Sequence, residues 1–555
     1  MDVYELTDRF VEDLARIKPM DATEVGITTY DDRWDNLSSE GHAEVRALLE
    51  GYRKQFREQE PIGDRWPDHV RAIALEYVDR RLAWYESEED VRDLNSVACP
   101  IQDFRLVFDI MDLESVKGWE TVVARLEGLQ AAIELYIDSL EEGRRRGLTA
   151  ARRQVLAASR EAATCAGASS PFGSLDVALA SSGVGDKQLQ SRLGSAIQGA
   201  QLVFWELSAY LEGTYLADAL ETDGVGRERY EARAFHFVGS QLDLDETYEW
   251  GWEQIRELSE QVSKAAAHIA PGRSLPEVMD ILKTDPERCA KSPDEFVRIM
   301  QERQDRAVDD LAGVHFDIPE QIRRVKVSLA PKGGALGAYY VSPTEDFSRP
   351  GSIWYSVGDE EVFPLYDEVS TAYHEGFPGH HLQGGYLLYL ADKVGRLAAT
   401  YAWWSGSGEG WALYAERLMG ELGYFEKPDY VLGMLMNHLF RACRVVIDIG
   451  SHLGLRIPAV SPVRPGERWS FEAGVEMLTD VAFSNQSVAT SEVTRYLGWP
   501  GHAIAYKVGE RAILELREEL RRAKRDGFDL KGFHTDVLRA GSVGLDLLRS
   551  FVLSS

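Results

Sequence analysis

Apolar residues recur every three and four positions along most of this chain, the spacing that lines one face of an α-helix. Trp119, Val122, Val123, Leu126, Leu129, Ile133, Ile137 and Leu140 are the clearest case and predict one long helix. The same period runs through 43–57, 66–87, 190–215, 245–267, 292–312 and 505–523. It predicts a mainly α protein of long packed helices. Two stretches break the period. Residues 165–187 are small and turn-forming and read as a loop between helices. Residues 326–356 are rich in β-branched and aromatic side chains between turns, which predicts a small antiparallel sheet. No repeat of fixed period and no low-complexity tract occurs. A length of 555 residues allows two to four domains. The patterns suggest a helical N-terminal region, 1–225, and a region carrying the chemistry, 226–555.

Composition narrows the class. Apolar residues make up 44% and charged residues 27%, as in an ordinary globular protein. The formal net charge of −30 argues against a nucleic-acid or anionic-membrane partner, because both need a basic footprint. No run of about 18 apolar residues occurs, so no membrane-spanning helix is expected. The opening residues lack a basic stretch followed by an apolar one, so no signal peptide is expected. Cys99, Cys165, Cys289 and Cys443 are scattered and form no C-x-x-C pair. They read as reduced core thiols of a cytoplasmic protein.

The candidate chemistry concentrates in His374-Glu375-Gly376-Phe377-Pro378-Gly379-His380-His381, which holds three of the twelve histidines. Zinc favours histidine and carboxylate ligands, and a catalytic zinc uses three of them with one position open to water. In the usual helical arrangement, H-E-x-x-H, the two histidines stand one turn apart. Here Pro378 occupies the second histidine's place. In an undistorted helix His380 would be rotated from His374 by roughly 240°, and His381 would lie roughly 10.5 Å along the axis. Neither suits one metal ion. Pro378, however, cannot donate to the His374 carbonyl, its ring crowds that turn, and Gly379 frees the backbone. The sequence therefore predicts a bulge or kink that brings His380 toward the missing place, with His381 as the alternative ligand. A single His-Glu pair on a helix is ordinarily surface decoration. Three histidines around a helix-breaking Pro-Gly are harder to explain that way.

A third ligand must come from another element. Glu409, in Ser405-Gly-Ser-Gly-Glu-Gly-Trp-Ala-Leu-Tyr-Ala-Glu416, follows a Ser/Gly cap that opens a new helix. Glu416 falls on nearly the same face and suits a hydrogen-bond acceptor for a ligand histidine. Further on, Asn437, Arg441, Arg444, Asp448 and His452 form a polar stripe on an otherwise apolar helix. It reads either as a chain of ion pairs along the helix or as a face on which Arg441 or Arg444 binds a substrate carboxylate. Arg495, Tyr496, His502 and Tyr506 are candidate donors to a reaction oxyanion, Tyr506 first and then His502. In the expected strands, Tyr339-Tyr340 and Trp354-Tyr355 are candidates to line an extended peptide, with Tyr340 as a substrate contact.

These blocks resemble the bacterial domain-of-unknown-function 885 family over nearly the whole chain. The resemblance includes Pro19-Met-Asp-Ala-Thr-Glu-Val-Gly26, Gly226-Arg-Glu-Arg-Tyr230, Ala338-Tyr-Tyr and Ser348-Arg-Pro-Gly351. It continues through His374 to Gln383, Glu409 to Glu416, Arg495-Tyr496, Pro500-Gly501 and Tyr506-Lys507. Some relatives carry a lipoprotein segment not seen at the start of this sequence, so their location does not transfer. The arrangement also resembles the helical zinc carboxypeptidases and oligopeptidases of the gluzincin type, in which a distant glutamate completes the H-E-x-x-H ligands. Matching Gly379-His380 to their Gly-His favours His380 over His381. The resemblance implies a zinc-peptidase-like fold and one divalent ion on His374, His380 and Glu409, with Glu375 as general base. The expected activity is hydrolysis of peptide bonds in short peptides by a metal-activated water. The alternatives are an amidase acting on a non-peptide amide or acylated amino acid, and a metal-binding protein without turnover.

Overall fold

The computed structural model describes residues 1–184, 186–330, 337–356 and 362–554. The protein is mainly α-helical. The helix predicted from Trp119 onward spans Val116–Arg146. Ser115 caps its start by accepting from the Gly118 N–H at 2.9 Å, and Gly147 ends it at φ 70°. The helices expected at 43–57, 66–87 and 190–215 are Ser39–Glu58, Arg65–Glu86 and Lys187–Gly213. Those expected at 245–267, 292–312 and 505–523 are Leu244–Ile269, Pro293–Leu311 and Ala505–Lys524.

The segment 165–187, expected as a loop, contains the helix Gly173–Ser182. Its composition is small and polar, but Leu175 and Leu179 stand one turn apart and bury in the core of this region. Two well-placed leucines outweigh weak local propensity. Gly185 lies outside the described residues.

The chain divides into two compact units. The first comprises Met1–Ile62, Ala74–Val225 and Leu497–Trp499, and the second Gly63–Ile73, Gly226–Tyr496 and Pro500–Ser555. A single boundary at 225 does not capture the two short exchanged segments. In the first unit Lys187–Gly213 packs with both the long helix and Arg152–Ala166, in a core that includes Trp119, Leu126, Leu193 and Phe204.

In the second unit, Leu244–Ile269 lies along Pro428–Leu453, and Ser405–Glu421 lies along Ala505–Lys524. The second pair touches backbone to backbone. A Cβ on Gly509 would stand 1.8 Å from the Gly406 carbonyl oxygen, so only glycine permits this approach. It sets Glu409 on one helix beside Tyr506 on the other. Pro428–Leu453 is long and apolar enough to cross a membrane by composition, but 72% of its most apolar stretch is buried inside the fold. Burial in a protein core explains that composition equally well.

The sheet before the histidine motif has the strands Val325–Leu329, Ala338–Val341 and Gly351–Tyr355. The expected antiparallel pairing holds between the second and third, with Tyr340 opposite Ile353. The first pairs with the third in parallel, Val327 opposite Ile353. The strands still alternate in direction along the chain, but the third inserts between the other two, so the expected antiparallel sheet is mixed. The outer edge of Val325–Leu329 is closed by the Gln301 amide, which donates to the Val325 carbonyl at 3.0 Å and accepts from the Val327 N–H at 2.9 Å. Residues 331–336 of the expected sheet segment lie outside the described residues. Cys289–Ala290 and Phe363–Pro364 form a separate antiparallel pair.

The Gly406–Gly509 contact yields a stability test. Gly509→Ala should lower the denaturation midpoint, at a cost of about 1–3 kcal/mol or more, because a methyl group would enter a backbone contact. Gly199→Ala, in a helix where a Cβ meets nothing within 4 Å, should instead stabilise by up to about 1 kcal/mol. Equal midpoints for Gly509→Ala and wild type would disprove the close packing.

Candidate metal centre

The interruption between the histidines is a complete break. One helix, Glu368–Glu375, stops at Gly376, and another, His380–Tyr389, begins after Gly379. Pro378 thus ends the first helix, where a kink within one helix was expected. Three contacts hold the broken ends. Gln304, fully buried, donates to the Ala372 carbonyl at 2.7 Å and accepts from the Phe377 N–H at 2.8 Å. The Trp411 indole N–H donates to the Pro378 carbonyl at 2.8 Å. Gly379 passes so close that a Cβ there would lie 1.9 Å from the His374 carbonyl oxygen. The Phe377–Pro378 peptide is cis.

The break sets His374, in the last turn of one helix, against His380, in the first turn of the next. Their rings meet edge to face with centroids 4.8 Å apart. Both Nε2 atoms face the same oxygen, Glu409 Oε2, at 3.3 Å from His374 and 3.4 Å from His380. The ligand-type atoms of His374, His380 and Glu409 all lie within 4.8 Å of one another. Behind His374, its Nδ1 meets Glu416 Oε1 at 2.8 Å, and the Ser370 hydroxyl donates to the other Glu416 oxygen. In the neutral imidazole an acceptor on Nδ1 keeps the proton there and turns the Nε2 lone pair toward Glu409. Glu409 Oε2 is buried, and neither of the two imidazole nitrogens facing it makes a well-aligned hydrogen bond to it. An orphaned buried carboxylate oxygen is costly. A cation among these three atoms would satisfy it, and two imidazoles with one carboxylate suit a divalent ion such as zinc.

The charges fit such a centre. Burial alone would lower the His374 pKa, but Glu409 and Glu416 outweigh it and lift it to about 9. Burial opposes ionisation of Glu409, yet His374 and His380 hold its carboxyl well below the usual range. Glu416 is likewise held down to about 2, against burial, by Arg441 and His374. Glu375 moves the other way. Burial, with Glu409 adding to it, raises its carboxyl against the pull of His380 and His374.

His381 does not join the group. Neighbouring helical residues point about 100° apart, and His381 turns toward the sheet. Its Nε2 lies 2.8 Å from the Ile322 carbonyl and its Nδ1 3.1 Å from the Tyr340 hydroxyl. Burial drives its pKa down to about 4. His381 is therefore a packing residue in this structure and not an alternative ligand. Tyr340, offered as a substrate contact, directs its hydroxyl to His381.

Tyr506 stacks beside His374, with centroids 6.4 Å apart and planes 15° apart, and burial lifts its phenol to about 12. His502 meets Tyr506 edge-on at 5.9 Å. Arg495 donates to His502 Nδ1 at 3.1 Å, and burial with Arg495 holds this imidazole well below its ordinary pKa. Neutral His502 therefore carries its proton on Nε2. The polar stripe on Pro428–Leu453 is divided in use. Asp448 accepts from the Tyr230 hydroxyl at 2.9 Å and the Gly501 N–H at 3.0 Å, and His452 Nε2 lies 3.0 Å from the Tyr496 carbonyl. Those two residues tie the fold together. Arg444 donates to the Tyr496 hydroxyl at 3.0 Å and to Glu492 at 2.8 Å. Arg495 grips Glu492 at 3.0 and 2.8 Å.

Gln304, Ser370 and Glu492 belong to none of the sequence motifs above. Ser370 lies one turn before His374, and Glu492 lies three and four residues before Arg495 and Tyr496, so helical spacing could have marked both. Nothing local marks Gln304.

Fold and site together define a class: a mainly helical protein with a candidate metal centre built of two histidines and a glutamate on three helices. The chain belongs to a bacterial family described as protein of unknown function, DUF885, which matches residues 19–552. No curated protein matches it. The crystal structure of a candidate lipoprotein from Colwellia psychrerythraea is similar, with TM-score 0.88 and 22% identity, over 100% of this chain and 98% of that one. A candidate lipoprotein of unknown function from Shewanella oneidensis is similar at TM-score 0.74 and 16% identity, over 100% of both chains. At these identities the likeness establishes the fold alone.

The His374–Glu416 pair makes a pH prediction for metal-free protein. Glu416, at about 2 when folded against 4.5 unfolded, adds stability that is complete above pH 4.5 and lost as pH falls toward 2. His374, at about 9 when folded against 6.5 unfolded, adds stability that is complete below pH 6.5 and lost as pH rises through 9. The Tm difference between wild type and Glu416→Gln should therefore be greatest between pH 4.5 and 6.5 and shrink on both sides. A difference independent of pH would rule out the charged pair.

Proposed function

We propose that this protein is a metal-dependent hydrolase that cleaves amide bonds in short peptides, with one zinc ion held by His374, His380 and Glu409 in a gluzincin-like arrangement. The observation carrying this reading is the buried Glu409 Oε2, faced by two imidazole Nε2 atoms at 3.3 and 3.4 Å with the three ligand-type atoms within 4.8 Å of one another. Glu416 behind His374 has the place of an outer carboxylate that orients a ligand histidine.

A bound divalent ion would supply Lewis acidity and ease the ionisation of a water molecule. Glu375, next in sequence to His374 and partly buried, takes the proton from that water. Its raised pKa makes it a stronger base than an exposed glutamate. The water oxygen bonds to the amide carbon, the carbon–nitrogen bond breaks, and Glu375 returns the proton to the departing amine. The developing oxyanion needs a donor. Tyr506 offers a phenol kept protonated by its high pKa, and His502 offers Nε2–H.

An amidase acting on an acylated amino acid would use the same groups, and a substrate panel separates the two. Metal content and turnover test the reading together. Wild type should hold about one metal ion per chain, and His374→Ala should lose it. Glu375→Gln should keep the metal while hydrolysis of a peptide library falls by about 10²-fold or more. Glu416→Gln should weaken metal affinity by about 10–100-fold. Metal binding unaffected by His374→Ala would sink the ligand assignment. Glu375→Gln turnover equal to wild type would sink the general-base role, and metal without any turnover would leave a metal-binding protein.

A further inference from the structure

Three guanidinium groups, of Arg441, Arg444 and Arg495, gather around Tyr506 beside the candidate metal centre. They are not equivalent. All three Arg495 nitrogens have partners, in Glu492 and His502. Arg444, 8% exposed, uses Nε and Nη2 on Tyr496 and Glu492 but leaves Nη1 buried without an acceptor. Arg441 forms no ion pair among the described residues. Its Nη1 donates to the Asn437 carbonyl of its own helix at 3.2 Å, and its Nε is buried with no acceptor. One carboxylate, Glu492, thus serves two of the three arginines. Arg441 is the charge that acts most on Glu416, but His374 and Ser370 already occupy the two oxygens of that carboxylate.

The two unpartnered N–H groups belong to guanidiniums on the same aromatic ring, with Arg441 at 6.0 Å and Arg444 at 4.7 Å from the Tyr506 centroid. Buried guanidinium N–H groups without acceptors are costly, and a carboxylate matches their forked geometry. The same ring stacks on His374, so an anion held here lies next to the hydrolytic centre. A peptide's C-terminal carboxylate lies one residue, about 3.5 Å of chain, beyond its last amide bond.

Resting on the hydrolase reading above, we infer that substrates carry a free carboxylate beside the scissile amide, and that Arg441, backed by Arg444, binds it. In a peptide that carboxylate is the C-terminus and lies on the departing-amine side. The activity is therefore release of a C-terminal amino acid from a short peptide or an N-acyl amino acid, not internal cleavage. Arg441 is the specificity-determining residue, and Arg444 positions it.

The test compares N-acetylated tripeptides bearing a free C-terminus with the same peptides as C-terminal amides. Binding is measured by calorimetry to metal-loaded Glu375→Gln protein, and hydrolysis with wild type. The acids should bind at least about 30-fold more tightly than the amides. Adding Arg441→Gln should bring that ratio near one, while Arg441→Lys should retain part of it because charge survives and the fork does not. Metal content should be unchanged in both. A role for Arg441 in balancing Glu416 alone would alter stability but not the acid-to-amide ratio. No acid preference, or one that survives both substitutions, overturns the inference even if every peptide is hydrolysed. An Arg441-dependent acid preference without turnover in wild type upholds carboxylate recognition and sinks only the hydrolase reading.

Discussion

The arrangement of the centre depends on a helix that stops at Glu375. An unbroken helix would send His374 and His380 to different faces. Pro378 removes a backbone donor and crowds the preceding turn, which ends the first helix, but an ended helix has no fixed direction in which to restart. Gln304 supplies it. One buried amide joins the Ala372 carbonyl before the break to the Phe377 N–H within it. Trp411 holds the Pro378 carbonyl from the helix that also carries Glu409, so the same packing that orients the break delivers the third side chain.

The second constraint is electrostatic. Glu375, Glu409 and Glu416 sit together in a largely buried region, where like charges repel strongly and water is scarce. The protein answers with differentiated partners. Glu416 is covered by His374, Ser370 and the Arg441 charge, and Glu409 faces two imidazoles. Glu375, without a comparable partner, has its carboxyl pushed up. Three chemically identical side chains thereby acquire different proton affinities, as acid–base chemistry requires.

The shared fold does not by itself assign an activity. Relatives at 22% and 16% identity retain this architecture over their full length, and a common scaffold can host unrelated chemistry. Local geometry is what distinguishes the site: one carboxylate oxygen between two imidazoles, and two incompletely satisfied guanidiniums beside them.

Much of the architecture is legible in the sequence because helical burial leaves a periodic trace. Trp119 to Leu140 marks its helix within a few residues, and the His-Glu cluster with Pro378 and Gly379 marks both the candidate ligands and the interruption. Glu409 and Glu416 follow from their shared helical face. Other features leave no such trace. The helix Gly173–Ser182 exists because Leu175 and Leu179 find a core, and the mixed sheet depends on which strand inserts between the others. The choice of His380 over His381 rests on the direction in which the second helix restarts. Gln304 lies far along the chain from the segment it clamps, and the difference between Arg441 and Arg444 depends on where Glu492 sits. Local sequence determined which groups were available and where the helix had to end. Only tertiary packing, which brings distant side chains within hydrogen-bonding reach, decided which of those groups find partners within the fold and which do not.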